Sequence, residues 1–457
     1  MPRLTREIAS LADPAAAFIE ASLAPLGAHS SGTLDEAETI LAQYPQLAAS
    51  SIYTAAILAD EDLVRAFLAC DPLSATAKGG TRGWDALTHL CFSRYLRLDR
   101  RRSEAFVRTA RALLDGGASA NTGWIETIDH PNPRPVLEAA IYGAAGIAQH
   151  AGLTRLLLER GADPNDEETP YHVAETRDNT VLGILLASGK LNMRSMSTLL
   201  HRKCDWHDLE GLQMVLEHGA DPNWITVWGY GALHHAIRRD NSLQTIELLL
   251  DHGADPSLAN RDGLTAIVMA ARRGRADALD LFERRGTPIA LTGADALIAA
   301  CARDREEAIR ALSAAEPQMK SEVIEQGGTL LAQFAGVGNL AGVLNLLALG
   351  LSPGALYREG DGYYGVAKDS TPLHVAAWRA RPEVVRELIA HGAPVNATDA
   401  QGKTALQLAV KASVDSWWTN RRSPDSVRAL LEAGASTSGI KLPTGYDEID
   451  RLLDQYL

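Results

Sequence analysis

A pattern of one leading apolar residue, small residues behind it and a closing glycine returns along most of this chain. The leads are Ile52, Leu87, Leu137, Tyr171, Leu200, Leu233, Ile267, Leu297, Leu331, Leu373 and Leu406, mostly 29 to 35 residues apart. A unit of that length cannot bury its apolar face alone and must stack on its neighbours. The period therefore predicts a solenoid and excludes an enzyme core wrapped around one centre. The clearest unit, over residues 371–396, reads TPLHVAAWRARPEVVRELIAHGAPVN.

Each unit has a local logic. A threonine hydroxyl can hold the free amides of a first helical turn, and a proline at the first helical position forfeits no hydrogen bond there. Thr371-Pro372 and Thr169-Pro170 have this form. A second helix follows a short turn, as over residues 153–159 and 244–251, with leucines on one face. It stops at Gly161, Gly219, Gly253, Gly392 or Gly434, where glycine tolerates the left-handed conformation that ends a helix. Turn segments such as Asp262-Gly263 and Gln401-Gly402 lead into the next unit.

These motifs make the chain resemble the ankyrin-repeat family. The resemblance is carried by Thr371-Pro372-Leu373-His374, Thr169-Pro170-Tyr171-His172, Thr198-Leu199-Leu200-His201 and the GADPN runs that begin at Gly161 and Gly219. Lead and closing glycine lie 19 residues apart at Leu200, Ile267, Leu331 and Leu373. The expected fold is an all-α solenoid of about eleven helix-turn-helix units over residues 33–438, with helical caps at 1–32 and 439–457. The units near Leu137 and Leu297 are degenerate. What the resemblance implies is a row of turn fingers, a concave groove and a binding role without catalysis.

Composition fits a soluble chain, expected in the cytoplasm. Cys70, Cys91, Cys204 and Cys301 show no CxxC spacing and read as reduced thiols. Arg3, Arg6 and Glu7 interrupt any signal-like apolar run, and no segment reaches membrane-spanning length.

Irregularities mark where function is expected, since loops on a rigid scaffold carry binding. Extra residues fall between the helices of two units, near 92–104 and 412–424, and both helix pairs should protrude from the edge opposite the fingers. Others lengthen the fingers at 118–134 and 352–370, while the fingers before Tyr171 and Leu200 are short. Trp84, Trp124, Trp224 and Trp228 fall in fingers, Trp206 and Trp378 near the ends of first helices, and Trp417 and Trp418 in the last insertion. By the resemblance, the positions after each first-helix Ala-Ala pair face the groove. Here these are Asp205 and Trp206, Arg238 and Arg239, Arg272 and Arg273, Arg303, Trp378 and Arg379, then Lys411. This row is basic within a chain of net charge −13. It either focuses field toward an acidic ligand or pairs with carboxylates such as Asp240 and Asp277.

The candidate partner-binding residues are Trp206, Trp228, Tyr230, Arg238, Arg239, Arg272, Arg273, Tyr363, Tyr364, Trp378 and Arg379. Planar guanidinium forks suit carboxylates, and tryptophan suits binding hot spots. The expected partner is an acidic or polar protein segment. The alternative is a small anionic metabolite or natural product enclosed by the long fingers, with a deep pocket near Tyr363, Trp378 and Trp417 as its mark.

Other chemistries are weakly signalled. His201, Cys204, Asp205, His207 and Asp208 gather metal-ligand types but lack the paired spacing of zinc sites, which leaves an enzyme or metal site there as a lesser reading. The cluster Arg94, Arg97, Arg100, Arg101, Arg102 and Arg108 includes Asp99 and Glu104, so a solvated helix pair is expected over a nucleic-acid surface. Gly360-Asp361-Gly362-Tyr363-Tyr364-Gly365 has no phosphate-loop lysine. The acidic finger of Asp163, Asp166, Glu167 and Glu168 lacks a calcium-loop register. No catalytic signature appears, and no cofactor is expected.

Overall fold

The computed structural model describes residues 11–128, 133–416 and 419–456 and divides into two compact units, Met1–Thr226 and Val227–Leu457. Both are built of helix pairs, and the fold is all-α apart from a two-stranded antiparallel sheet in the first unit.

In the first unit, helices Pro14–Ser22 and Asp35–Gln43 precede the pairs. Ile52–Ile57 pairs with Glu61–Cys70, and Ala86–Cys91 with Ser103–Asp115. Next come Ala140–Tyr142, continued by a π-turn to Ile147, with Ala151–Glu159. Glu168–Val173 with Thr180–Ala187 and Met193–Asp205 with Leu209–Glu217 complete it.

The second unit pairs Ala232–Arg238 with Leu243–Asp251, Ala266–Arg272 with Ala276–Arg284, and Gly293–Ala302 with Glu306–Ala315. An additional helix, Pro317–Glu325, leads to Gly327–Val337 and Leu340–Ala348. Pro372–Trp378 with Pro382–Ala390, Ala405–Val414 with Asp425–Glu432, and a last helix Asp447–Leu453 follow.

The best-formed unit shows why the pattern folds this way. Thr371 caps helix Pro372–Trp378, with the His374 side chain returning to the Thr371 amide. The opposite ring nitrogen of His374 lies 3.0 Å from the carbonyl of Lys403, one unit further on. Burial lowers the His374 pKa and keeps the ring neutral, with one nitrogen donating and one accepting. Leu373, Ala376 and Ala377 of the first helix and Val385 and Leu388 of the second are fully buried. Each such leucine stabilises the stack by about 2 kcal/mol. At Gly392, φ of 83° lets the next amide, of Ala393, return to the Leu388 carbonyl.

The asparagine four residues after the closing glycine fastens consecutive fingers. Asn121 donates to the carbonyl of Gly161 and accepts from the amide of Asp163, at 3.0 and 2.7 Å. Asn165 does the same with Lys190 and Asn192, and Asn396 with Gly434 and Ser436.

Several expectations are corrected. Leu137 lies on a strand, because residues 118–134 lead into a hairpin in which Gly123–Ile128 pairs with Arg134–Ala139. Ile141 is the buried apolar residue of that unit's first helix. Thr169 does not cap its helix; it is held by Asp166, whose carboxylate accepts from the Thr169 amide and hydroxyl. Thr198 lies inside a longer helix capped by Asn192, which explains the short finger before Leu200.

The segment after Cys91 does not protrude. Tyr95 and Leu96 are buried, and the surrounding arginines bind backbone carbonyls of other segments. Arg94 donates to Ala21, Arg97 to Ser31, Arg100 to Ala148 and Arg102 to Leu58. Arg101 and Arg102 also meet Asp99, and Arg108 meets Glu61. A basic run that resembles a solvated face is largely a set of cross-links.

Thr371→Ala should destabilise the second unit by about 1 kcal/mol through loss of the helix cap. Chemical denaturation followed by circular dichroism would show it as a lower midpoint.

Candidate partner-binding face

In the second unit the inner ends of several first helices converge on one carboxylate. Asp240 follows helix Ala232–Arg238 at a positive φ of 49°. Its oxygens receive Arg273 at 3.3 Å and Arg379 at 3.1 Å, the latter 139 residues away in sequence. Arg275 donates to the carbonyl of Asn241 and to Asp277. Burial alone would raise the Asp240 pKa, but Arg273 and Arg379, then Arg275, hold it down to about 2. Asp240 therefore stays ionised.

The long finger closes over this ionic centre. Tyr357, Tyr364 and Val366 are buried against Ala332, Val375 and Ala412, and the finger is tied by bridges between Tyr357 and Ser370 and between Asp361 and Val366. Arg379 lies 3.9 Å from the centre of the Tyr364 ring and Arg239 3.6 Å from that of Tyr363, distances suited to cation–π attraction. The Trp378 indole donates to the Tyr364 carbonyl, and Lys411 approaches the same indole at 5.4 Å.

Arg381 donates to the Gly336 carbonyl. Burial, then the like charges of Arg421 and Arg379, push its pKa down to about 10. An arginine is disfavoured as a cation only where the surrounding field is itself positive or water is excluded.

The expected site residues separate by depth. Tyr364, Arg273 and Arg379 are buried, so Tyr364 is not available for direct contact, contrary to expectation. Arg272 is engaged by Asp295 through both carboxylate oxygens, at 2.7 and 3.0 Å. Arg238, Arg239, Tyr230, Tyr363 and Trp378 are half-buried and remain within reach of solvent. Arg238 stands over the Tyr230 ring at 5.1 Å. Trp228 is 44% exposed; Trp206, which belongs to the first unit, is 41% exposed. Trp417 and Trp418 lie outside the described residues. Sequence reasoning missed Arg275 and Arg381, because the aligned stripe stopped two positions after each Ala-Ala pair.

Beside this face, a cleft of about 360 Å³ is lined by Trp378, Asp399, Lys403, Lys411, Gly439 and Lys441, within the size range of small-ligand sites. The residues around His201 form no comparable centre. His201 meets the Ser197 carbonyl, Asp205 pairs with Arg202, and Asp208 pairs with the buried Lys203.

The repeat families agree with this architecture. Residues 200–290 and 233–323 match the family described as ankyrin repeats (3 copies), and residues 346–409 match ankyrin repeats (many copies). Residues 200–323 and 346–409 are ankyrin repeats. It is similar to the B-cell lymphoma 3 protein homolog of Mus musculus, at 34% identity over 27% of this chain and 25% of that protein. The B-cell lymphoma 3 protein of Homo sapiens is 36% identical over 26% of this chain and 24% of its own length. This chain thus spans about a quarter of the curated relatives it matches. The crystal structure of the human ASB11 ankyrin repeat domain aligns with 59% of this chain and 99% of its own, at 23% identity and a TM-score of 0.26. Ankyrin repeats generally act as protein-interaction scaffolds, not catalysts. Among the described residues no helix is long and apolar enough to cross a membrane.

Asp240→Asn should destabilise the second unit by about 3 kcal/mol at neutral pH, because Arg273 and Arg379 would be left buried without their counter-charge. Since the folded-state pKa of Asp240 is depressed to about 2, its contribution is present above the ordinary carboxylate range and is lost as pH falls through the folded value. The gap between wild type and variant should narrow from about pH 4 downward, measurable by denaturation at several pH values.

Proposed function

We propose that this protein is a non-catalytic scaffold that binds an acidic or polar segment of a partner protein on the arginine and aromatic face of its second unit. The observation that carries this reading is the placement of half-buried Arg238 and Arg239 over the Tyr230 and Tyr363 rings, beside half-buried Trp378. Their guanidinium groups suit a partner carboxylate. Trp228, Tyr230, Arg238, Arg239, Tyr363 and Trp378 make the direct contacts. Arg272, Arg273, Tyr364 and Arg379 hold them in place. Fixed aromatic rings and stacked guanidinium groups lose little conformational freedom on binding, which favours affinity.

The cleft lined by Trp378 and three lysines supports a second reading, in which a small anionic ligand binds there. The two readings separate experimentally, because a small ligand would bind the purified protein alone.

Affinity capture with the full chain, compared with folded Arg239→Glu and Trp378→Ala variants, tests the first reading. A partner bound by wild type should be weakened by about 2 kcal/mol or more by Trp378→Ala, roughly 30-fold in dissociation constant. Arg239→Glu should also reduce the salt sensitivity of binding. A partner held equally by all three proteins would remove this face from the interaction.

A further inference from the structure

Apart from the arginine face, the first unit holds a second concentration of polar groups in an apolar setting. His29 lies between the helices Pro14–Ser22 and Asp35–Gln43. Glu126 and Glu138 face each other diagonally across the hairpin, on strands Gly123–Ile128 and Arg134–Ala139. The imidazole is ringed by Phe92, Trp124 and Tyr142, with ring centres 5.5 to 6.5 Å away. One ligand-type atom from each of the three residues lies within 4.8 Å of the others.

We propose that His29, Glu126 and Glu138 bind a divalent transition-metal cation, zinc first among them. The separation of His29 from Glu126 fits two ligands of a shared ion better than it fits a direct bond. Nε2 of His29, the ring nitrogen without a hydrogen-bond partner, is 3.5 Å from Glu126, too long for a strong hydrogen bond. Two ligands each about 2.1 Å from a tetrahedral zinc ion stand about 3.4 Å apart.

The bonding inventory is independent of those distances. Glu138 is 1% exposed, and its Oε2 has no hydrogen-bond partner. Nε2 of His29 is also buried without one. Buried polar atoms are rarely left so, and two orphans in one cluster call for an occupant. Nδ1 of His29 lies 2.7 Å from the Tyr142 hydroxyl, an outer-shell contact that orients a histidine whose Nε2 faces a metal.

Ligand type points the same way. One imidazole with two carboxylates suits zinc or manganese more than calcium, which takes oxygen ligands alone. Bound there, the ion would tie the N-terminal segment to both hairpin strands.

The full chain, stripped with chelator and checked by circular dichroism, is titrated calorimetrically with zinc chloride. One zinc ion per chain is expected. His29→Gln and Glu138→Gln should each weaken binding by at least about 100-fold, and Tyr142→Phe by about 10-fold. X-ray absorption of the zinc-loaded wild type should show nitrogen and oxygen ligands with a single imidazole, a readout that stands even if a variant fails to fold. Absence of binding by zinc and manganese, affinity unchanged in the two ligand variants, or sulfur around the metal would overturn the proposal.

Discussion

Each helix pair has an apolar face that stays wet until another pair lies on it, and this dependence on a neighbour governs the whole molecule. It explains why small residues recur in the first helices. Ala270 and Ala271, like Ala376 and Ala377, are almost completely buried, and a larger side chain would force adjacent pairs apart. It also explains the position of the polar fastenings. His374 and Asn396 each reach a backbone group of the following unit, where a short polar side chain fixes register without interrupting the core. With stability supplied between neighbours, fingers and insertions are free to vary.

The two large irregularities use that freedom differently. In the second unit, the long finger buries Tyr357, Tyr364 and Val366 and lays Tyr363 and Tyr364 over Arg239 and Arg379. Beneath it, Asp240 joins arginines from distant units. The Asp240 carboxylate makes the convergence of these cations tolerable. In the first unit, the hairpin brings Glu126 and Glu138 to His29 and encloses carboxylates in place of guanidinium groups. The same scaffold thus carries one positive and one negative polar centre.

The repeat, its caps and its closing glycines were legible because they are local. Thr371 and Gly392 act within their own unit, and their spacing alone announces what they do. Leu137 misled because its surroundings, a hairpin followed by a π-turn, replace the usual entry into a first helix. Thr169 misled because Asp166, three residues earlier, displaces it as the capping group. The arginine stripe was visible, and so was Asp240 as a possible counter-charge. The burial of Arg273, Arg379 and Tyr364 was not, because it results from contacts between different repeats, up to 139 residues apart for Arg379 and Asp240. For the same reason nothing local tied His29 to Glu126 and Glu138. Arg94, Arg97, Arg100 and Arg102 looked solvated because they donate to backbone carbonyls, which every sequence contains and none displays.

The central claim is that an acidic or polar protein segment lies on the arginine and aromatic face. A photo-crosslinking residue placed at position 363, with a second placed at position 284 on a second helix as the control, tests this most directly in the native cell. Adducts that form at position 363, map to an acidic or polar stretch of one protein and are absent at position 284 are the predicted result. Crosslinks equally abundant at both positions, or found only at the control, would contradict the account.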